Sequence, residues 1–247
     1  MTGPGLMRLP QALWRWLTSP AYRSYARLRW HRPPALFQLS STTREDRYPG
    51  LFQFAQNEMG KHSPVRILSF GCSTGEEVFT LRRYFPQASL RGLDINAASI
   101  ARAQQRLRHN SDSSMAFERA GSTSREPSHA CDAIFCLAVF REGALADPRF
   151  ERCDSLITFQ RFSAAVDDIA RCLKPGGLLF LAHANFRFAD TAAARQFDLV
   201  HRMDFAGANA GSPLFDASNR RTSEVNGEAL VFRKKRPAAV GPGNAND

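Results

Sequence analysis

Cysteine is scarce in this sequence, and its spacing excludes the common structural zinc sites. The five cysteines stand at positions 72, 131, 136, 153 and 172. None forms a Cys-x-x-Cys pair and no histidine completes a zinc spacing, so we predict no metal. The odd cysteine count and the lack of a secretory-signal pattern favour a reducing compartment, and we expect a cytoplasmic protein.

Long apolar runs are also missing. No stretch approaches the roughly 18 apolar residues that a membrane-spanning helix needs. The chain has 247 residues, of which 43% are hydrophobic. That size and composition predict one substantial core with one short appendage.

Acidic residues are absent from the first 44 positions, which contain seven arginines interleaved with Leu, Trp and Tyr. A second basic cluster covers 233–236, whereas 22 basic and 22 acidic residues balance between 45 and 232. Because the central region has no net positive charge, specific nucleic-acid binding is not expected. We expect residues 1–34 to be a helix-rich extension folded over the domain. An interfacial arm that contacts a membrane surface, a targeting segment and RNA contact remain alternatives.

The most informative segment is 65–77, Val-Arg-Ile-Leu-Ser-Phe-Gly-Cys-Ser-Thr-Gly-Glu-Glu. An apolar strand, a glycine loop and a helix start in this order are typical of a nucleotide-type pocket. The G-x-G-x-x-G spacing is absent, and Glu76 and Glu77 stand where a pyrophosphate needs free N–H groups. Two carboxylates suit a ligand with positive charge and no phosphate, such as S-adenosylmethionine.

The stretch from Phe70 to Glu77 resembles the first motif of class I S-adenosylmethionine-dependent methyltransferases, and is most like that of the chemotaxis-receptor glutamate methyltransferases. The likeness covers roughly residues 64–234 and includes the Lys-Pro-Gly-Gly turn at 174–177. It implies S-adenosylmethionine as cofactor. The cofactor-binding residues that we expect are Gly71, Cys72, Ser73, Thr74, Gly75, Glu76, Asp94, Ile95, Ser122, Cys136 and Leu137.

Several of these residues have individual expected roles. Asp94 ends the second predicted strand, 23 residues after Gly71, where a carboxylate can accept both ribose hydroxyls. Its alternative role is a cap for the following helix. The resemblance implies that Glu76 faces the amino-acid end of the cofactor, that Ile95 and Ser122 lie near adenine, and that residues 136–137 line the methionine part.

The chain also departs from the receptor methyltransferases. Thr43 and Arg47 match the spacing of a Thr-x-Phe-Phe-Arg segment in that family, but Glu45 and Asp46 replace its aromatics. Arg47 is therefore either a site residue or a surface charge. The family's full N-terminal helical domain is missing, so receptor glutamate is not the expected substrate.

The methyl acceptor is left open, as a small molecule or a protein. No Asn-Pro-Pro-Tyr follows the fourth predicted strand, which argues against methylation of adenine or glutamine amides. We assign no catalytic residue, because a base is needed only where the acceptor must lose a proton. His183 is the best-placed candidate base, and a core histidine is its alternative.

The alternation of strands and helices predicts an α/β, Rossmann-like fold: a seven-stranded, mostly parallel sheet with helices on both faces, plus a basic helical N-terminal extension. Residues 1–60 are the predicted extension, 61–236 the cofactor-binding domain and 237–247 a disordered tail. We place strands at 65–70, 89–93, 115–119, 131–139, 178–183, 198–205 and 228–234. Helices are expected at 76–84, 97–109, 160–173 and 190–196, with another beginning at Pro49.

Two other functions compete with methyl transfer. Residues 71–75 also satisfy G-x-S-x-G, the nucleophile elbow of α/β hydrolases, with Ser73, Asp147 or Asp154, and His183 in the right chain order. Only about 60 residues precede this elbow, fewer than the strands of that fold require. Alternatively, the domain is a non-catalytic binding protein docked through its basic arm.

Overall fold

The computed structural model describes residues 11–39, 43–204 and 211–237. The strands are β1 (Arg66–Phe70), β2 (Ser89–Asp94), β3 (Met115–Arg119), β4 (Cys131–Leu137), β5 (Leu173–Ala182), β6 (Phe197–Asp204), β7 (Ser212–Phe215), β8 (Arg221–Asn226) and β9 (Glu228–Lys234). The helices are α1 (Gln11–Thr18), α2 (Pro20–His31), α3 (Pro49–Met59), α4 (Glu76–Tyr84), α5 (Ala97–Asn110) and α6 (Phe159–Cys172). Short 3₁₀ turns cover Gly143–Ala146, Phe188–Asp190 and Ala192–Gln196.

Seven strands form one sheet in the order β3-β2-β1-β4-β5-β9-β6. The first five strands in this order are parallel, and β9 runs antiparallel to both of its neighbours. The strand order reverses between β1 and β4, and in such sheets ligands bind beyond the carboxyl ends of the strands at that switch point. The predicted Rossmann-like, mostly parallel sheet is confirmed.

The central strands bury both faces, which is why they read as nearly continuous apolar runs. Alternate residues of β4 separate onto the two faces, with Ile134 on the α6 side and Phe135 on the side of α3, α4 and α5. The polar exception in β4 is Asp132. Its carboxylate accepts hydrogen bonds from the backbone N of Arg66 and from Lys174 Nζ, both at 2.8 Å.

The structure corrects several element boundaries. β5 begins at Leu173, so the Lys-Pro-Gly-Gly turn lies inside an irregular strand start rather than before it. The segment predicted as a helix at 190–196 is 3₁₀ turn, and β7 and β8 form a two-stranded sheet that the polar sequence did not indicate. Helix α3 packs in the core through Leu51, Phe52 and Ala55, so the predicted division at residues 60 and 61 separates no second core. Most of the predicted tail, 238–247, lies outside the described residues.

The helical N-terminal extension is present from residue 11 onward, and α2 is tied to the domain. Ser24 Oγ donates to Asn96 Oδ1 at 2.7 Å, and Arg32 pairs with Glu142 at 2.7 Å. Leu28 is buried on the same side of the helix. Across the described ranges, every helix is too short or too polar to cross a membrane.

Candidate cofactor cleft

A cleft of about 960 Å³, counting space open to solvent, lies at the carboxyl ends of β1, β2 and β4. The regions after β1 and β2 contribute Gly71, Cys72, Ser73, Glu77, Asp94, Ile95 and Asn96 to its lining. The end of β1 and the regions after β3 and β4 contribute Phe70, Ala120, Gly121, Leu137, Ala138 and Val139. The part of the chain before β1 contributes Leu28, Ala35, Leu36, Phe37, Gln38, Leu39, Thr43, Arg44, Asp46, Arg47, Tyr48 and Phe52.

Most backbone N–H groups of the glycine loop, residues 71–75, donate hydrogen bonds to other groups of the protein. The backbone N–H groups of residues 71 and 72 donate to the carbonyl oxygen of Leu93, at 2.8 and 2.9 Å. The N–H of Ser73 donates to Asp94 Oδ2 at 2.8 Å, and that of Gly75 to the carbonyl oxygen three residues earlier at 2.9 Å. A phosphate-binding loop presents such groups to its ligand. The glycine loop of this protein therefore favours a ligand without phosphate groups.

Two glycines of the loop stand where no side chain fits. Gly71 has φ 83°, and a Cβ there would lie 2.6 Å from the side chain of Val139. Gly75 has φ 92°, and its Cβ would lie 2.9 Å from the ring of Phe117. Left-handed backbone and close packing together explain why the turn is built on glycine.

Asp94 is held by backbone donors and faces the cleft. Its Oδ2 accepts from Ser73 and its Oδ1 from the N–H of Asn96, at 2.8 and 2.7 Å. Burial raises the pKa of Asp94, and the two N–H donors oppose that shift. The cap of α5 is instead Asn96, whose Oδ1 accepts from the N–H groups of residues 98 and 99. Since a carboxylate offers about four acceptor positions, Asp94 retains capacity for ligand hydroxyls.

The two glutamates differ in their position relative to the cleft. Glu76 lies outside the cleft lining and accepts a hydrogen bond from the Thr74 hydroxyl at 2.7 Å, whereas Glu77 lines the cleft. Successive residues of a helix point about 100° apart, so one step along α4 turns Glu76 away. Burial raises the pKa of Glu77 to about 7, while the Ser69 hydroxyl and the Arg47 guanidinium oppose the shift.

Of the expected contact residues, the structure brings six to the cleft: Gly71, Cys72, Ser73, Asp94, Ile95 and Leu137. Thr74, Gly75, Glu76, Ser122 and Cys136 are not in its lining. The Cys136 side chain is fully buried on the α6 side of the sheet, because strand residues alternate between faces. Ser122 Oγ lies 2.9 Å from Ser124 Oγ in an exposed turn.

The residues between 28 and 48 were largely missed as site residues. Leu36 and Phe37 are buried, and Thr43, Arg44 and Arg47 line the cleft beside them. Only Arg47 and Thr43 had been singled out, through a motif spacing. The apolar run after Pro33-Pro34 was the available signal, since a solvated linker has no need of it.

A second set of groups lies next to the cleft, beyond the end of β5. The rings of Tyr48 and His183 are 6.0 Å apart. Burial raises the pKa of Tyr48 to about 12. Burial also lowers the pKa of His183 to about 4, with Arg47 and Arg141 acting in the same direction. His183 is therefore a neutral imidazole at neutral pH, the form that accepts a proton.

Three non-glycine residues with left-handed backbone lie at the same edge of the sheet. Ser73, Ala138 and His183 have φ of 51°, 64° and 54°, and they follow the cleft-side ends of β1, β4 and β5. Non-glycine residues in this region cost about 1–3 kcal/mol each and concentrate at functional sites. The three residues with left-handed backbone thus lie at the end of the sheet where the cleft is found.

The hydrolase constellation is not assembled. Strand β4 lies between β1 and β5, so Ser73 and His183 are two strand spacings apart, about 9–10 Å. Asp147 and Asp154 each pair with an arginine two residues away, on the surface. Within residues 11–39, 43–204 and 211–237, neither His183, Asp147 nor Asp154 is placed to act on Ser73 as the base that activates a serine nucleophile.

The set of carboxylate acceptors and apolar residues that lines the cleft suits a cationic ligand that has several hydroxyl groups and no phosphate. Asp94 offers acceptor positions for hydroxyls, Glu77 offers a carboxylate, and Ile95, Ala120 and Gly121 form an apolar wall. S-Adenosylmethionine, whose charges are an ammonium, a sulfonium and a carboxylate, fits this set.

Comparisons with known proteins agree with that chemistry. Residues 68–179 match the family described as Methyltransferase domain. The ribosomal RNA small subunit methyltransferase C of Hahella chejuensis is 31% identical over 121 residues, which cover 49% of this chain and 32% of that protein. The trans-aconitate 2-methyltransferase of Methylobacterium nodulans is 27% identical over 117 residues, covering 47% of this chain and 37% of that protein. The chain thus spans about a third of the length of the curated relatives that it matches.

Solved structures share the fold. The [4+2]-cyclase SpnF superposes with a TM-score of 0.52 at 15% identity, over 92% of this chain and 96% of that one. The YcgJ protein of Bacillus subtilis superposes with a TM-score of 0.51 at 13% identity, over 77% of this chain and all of that one.

Proposed function

We propose methyl transfer from S-adenosylmethionine as the reaction of this chain, because its residues 68–179 match the family described as Methyltransferase domain and its cleft suits this cofactor. The cofactor is S-adenosylmethionine. The methyl acceptor is a small molecule or a protein. We expect the reaction to take place in the cytoplasm.

One combined observation supports the proposal. The N–H groups of the glycine loop are hydrogen-bonded within the protein, and the Asp94 carboxylate beside them can still accept hydrogen bonds from a ligand. Asp94 would accept the ribose hydroxyls, and Glu77 rather than Glu76 would face the ammonium of the amino-acid end. Ile95 and Gly121 would contact the adenine ring, in place of the expected Ser122. This assignment follows from the cleft lining and from the charges of the ligand.

When bound, the cofactor supplies an electrophilic methyl group on a positively charged sulfur. The protein's task is to orient the acceptor along the carbon–sulfur axis and to exclude water. The segment from Ala35 to Leu39 covers one side of the cleft and would limit solvent access. His183 is uncharged at neutral pH, but a pKa of about 4 makes it a weak proton acceptor there, so we assign it no catalytic step.

Positive charge also lies in and beside the cleft. Arg44 and Arg47 line the cleft, and Arg141 acts electrostatically on both Tyr48 and His183. We therefore expect an acceptor that carries an anionic group. The two curated relatives act on different acceptors, ribosomal RNA and trans-aconitate, so their names do not choose one. The likeness that we infer between the first motif and that of the chemotaxis-receptor methyltransferases rests on residues 70–77 alone and does not choose an acceptor either.

A binding function without turnover is the second candidate. SpnF, named as a [4+2]-cyclase, has the same fold, so the fold alone does not establish methyl transfer. The exposed N-terminal helices would then serve only to dock the protein. Cofactor binding without any labelled product would favour this alternative.

The test is a screen of cell extract with tritiated S-adenosylmethionine, with labelled products sorted by size and solubility. We expect label in one product class with the wild type, none with Asp94→Ala, and wild-type labelling with Glu76→Gln, whose side chain lies outside the cleft. A fluorophosphonate probe should leave Ser73 unmodified. Calorimetry that detects no cofactor binding to the folded protein would overturn the proposal.

A further inference from the structure

The N-terminal arm, residues 11–31, displays most of the exposed apolar surface. Among the described residues, nine large hydrophobic side chains are exposed, and six of them lie on this arm: Leu13, Trp14, Trp16, Leu17, Tyr25 and Trp30. Trp30 is 87% exposed and Trp14 61% exposed. Clustered exposure of this kind marks an interaction surface, whereas isolated exposed side chains do not.

Helix α1 is joined to α2 through its backbone and leaves its side chains open to solvent. It has eight residues and its described side chains, from 13 to 18, are all exposed. Leu13, Trp14 and Leu17 fall on one side and Arg15 on the opposite side, at about 100° per residue. A helix this short is marginal in water on its own. Burial of its exposed apolar side against another surface would therefore stabilise the helix.

The arm is also uniformly basic. It contains arginines at 15, 23, 27 and 29 and no acidic residue. Arg23 is used internally, because its Nη1 donates to the carbonyl oxygens of Trp16 and Leu17 at 2.9 and 2.8 Å and so ties α1 to α2. Arg15, Arg27 and Arg29 are exposed and make no ion pair within the described parts of the chain. Three positive charges thus surround the tryptophans and are available to an external partner.

We propose that the N-terminal arm docks on an anionic phospholipid surface. Indole rings and arginine side chains both suit the boundary between headgroups and acyl chains, where one end of the side chain is apolar and the other wet. A second copy of the chain is a poorer partner, since a two-fold contact through this face would bring arginine against arginine. RNA would satisfy the arginines but would leave Leu13 and Leu17 exposed.

Docking through the arm would also place the cleft close to the membrane. Leu28, on the inner side of α2, lines the cleft, whereas Trp30 points outward from the same helix. Ser24 holds the helix against Asn96, next to Asp94. The cleft would therefore lie about one helix diameter, roughly 10 Å, from the headgroups.

The three tryptophans of the chain, at 14, 16 and 30, all lie on the arm, so intrinsic fluorescence reports on this surface alone. The experiment adds vesicles of equal parts phosphatidylglycerol and phosphatidylcholine to the full chain. We expect a blue shift, quenching by brominated lipid and co-sedimentation, with weak binding to pure phosphatidylcholine and at high salt.

Variants separate the charge from the aromatic contribution. Replacing Arg15, Arg27 and Arg29 by Gln should weaken binding about a hundredfold, at about fivefold per cation. Trp14→Ser with Trp30→Ser should reduce co-sedimentation while Trp16 still reports. The matched control, Leu199→Ser with Val225→Ser, removes exposed apolar side chains elsewhere and should bind like the wild type.

Three results would overturn docking on lipid: no shift with anionic vesicles, a shift with poly(U) RNA but not with vesicles, or a shift that depends on protein concentration alone. Circular dichroism and cofactor calorimetry on each variant show that the domain is folded. None of the three vesicle readouts (blue shift, quenching and co-sedimentation) requires turnover. A failure to bind vesicles would therefore leave the proposed methyl transfer unaffected.

Discussion

The backbone N–H of Ser73 donates to Oδ2 of Asp94 at 2.8 Å and joins the loop after β1 to the tip of β2. The same carboxylate also accepts from the N–H of Asn96 at 2.7 Å. One side chain therefore fixes the loop, the strand end and the start of α5, and it does so while facing the cleft.

Replacing Asp94 should weaken cofactor binding and the fold together. Asp94→Ala leaves two backbone donors without acceptors, at a cost of about 1–3 kcal/mol for each group that stays dry. Cofactor affinity should fall at least tenfold, or about 1.4 kcal/mol. Calorimetry and denaturant unfolding measure the two effects, and Glu76→Gln is the control. Unchanged affinity in folded Asp94→Ala would remove Asp94 from the site.

Cofactor affinity should rise with pH through neutrality. The folded protein holds the pKa of Glu77 near 7, so the residue is largely protonated at pH 6 and ionised at pH 8. A cationic ligand binds the ionised form better, and its binding therefore releases a proton. Calorimetry at pH 6 and 8, in buffers of different ionisation enthalpy, should show this release in the wild type. Glu77→Gln should show a flat profile, and an unchanged profile in this variant would show that Glu77 does not face the charge.

His183 should make stability depend on pH in the acid range. Its pKa is about 4 in the folded state, below the ordinary 6.5. Between these values the unfolded chain binds more protons, so stability rises with pH across that window and is lost on acidification. From pH 7 to 5 the wild type should lose up to about 2 kcal/mol more than His183→Asn. Asparagine tolerates the left-handed backbone.

Denaturant unfolding at the two pH values measures this difference. Comparison of the variant with the wild type cancels the contribution of Glu77, which titrates in the opposite sense in both proteins. Equal losses in wild type and His183→Asn would mean that His183 is not held neutral by its surroundings.

Gly71→Ala should be strongly destabilising. The new Cβ would lie 2.6 Å from Val139 and would sit at φ 83°, where the left-handed backbone alone costs about 1–2 kcal/mol. Adding Val139→Ala should recover the steric part and leave the backbone part. Gly143→Ala is the matched control, because nothing lies within 4 Å of its Cβ position. Thermal unfolding of the four proteins checks the order of stability, and equal melting temperatures for Gly71→Ala and Gly143→Ala would contradict it.

The sequence was sufficient where the signal is local. The apolar run of β1 and the turn at Gly71 lie next to each other in the chain, and the spacing to Asp94 reflects one helix and one strand. Predicted bounds for α4 and β2 therefore agree with the structure to within a residue. Buried parallel strands with short connections leave few alternatives.

The sequence was insufficient where the outcome depends on helix phase or on contacts between distant segments. Choosing between Glu76 and Glu77 requires the rotation of α4 about its axis, which a shift of one residue reverses. The packing of Leu28 and Leu36 over the cleft is a contact between segments about 40 residues or more apart in the chain. In the hairpin of β7 and β8, β7 has only four residues, one of them proline, and β8 is polar and exposed or half-buried throughout, so neither strand shows an alternating apolar pattern.

The most direct test of the account is a crystal structure of the protein soaked with S-adenosylhomocysteine. The account predicts electron density in the cleft between the glycine loop and residues 35–39, with ribose hydroxyls within hydrogen-bond distance of Asp94 and the amino group beside Glu77. A cleft that stays empty at saturating ligand, or a ligand bound at another place with Asp94 in no contact with it, would contradict the account.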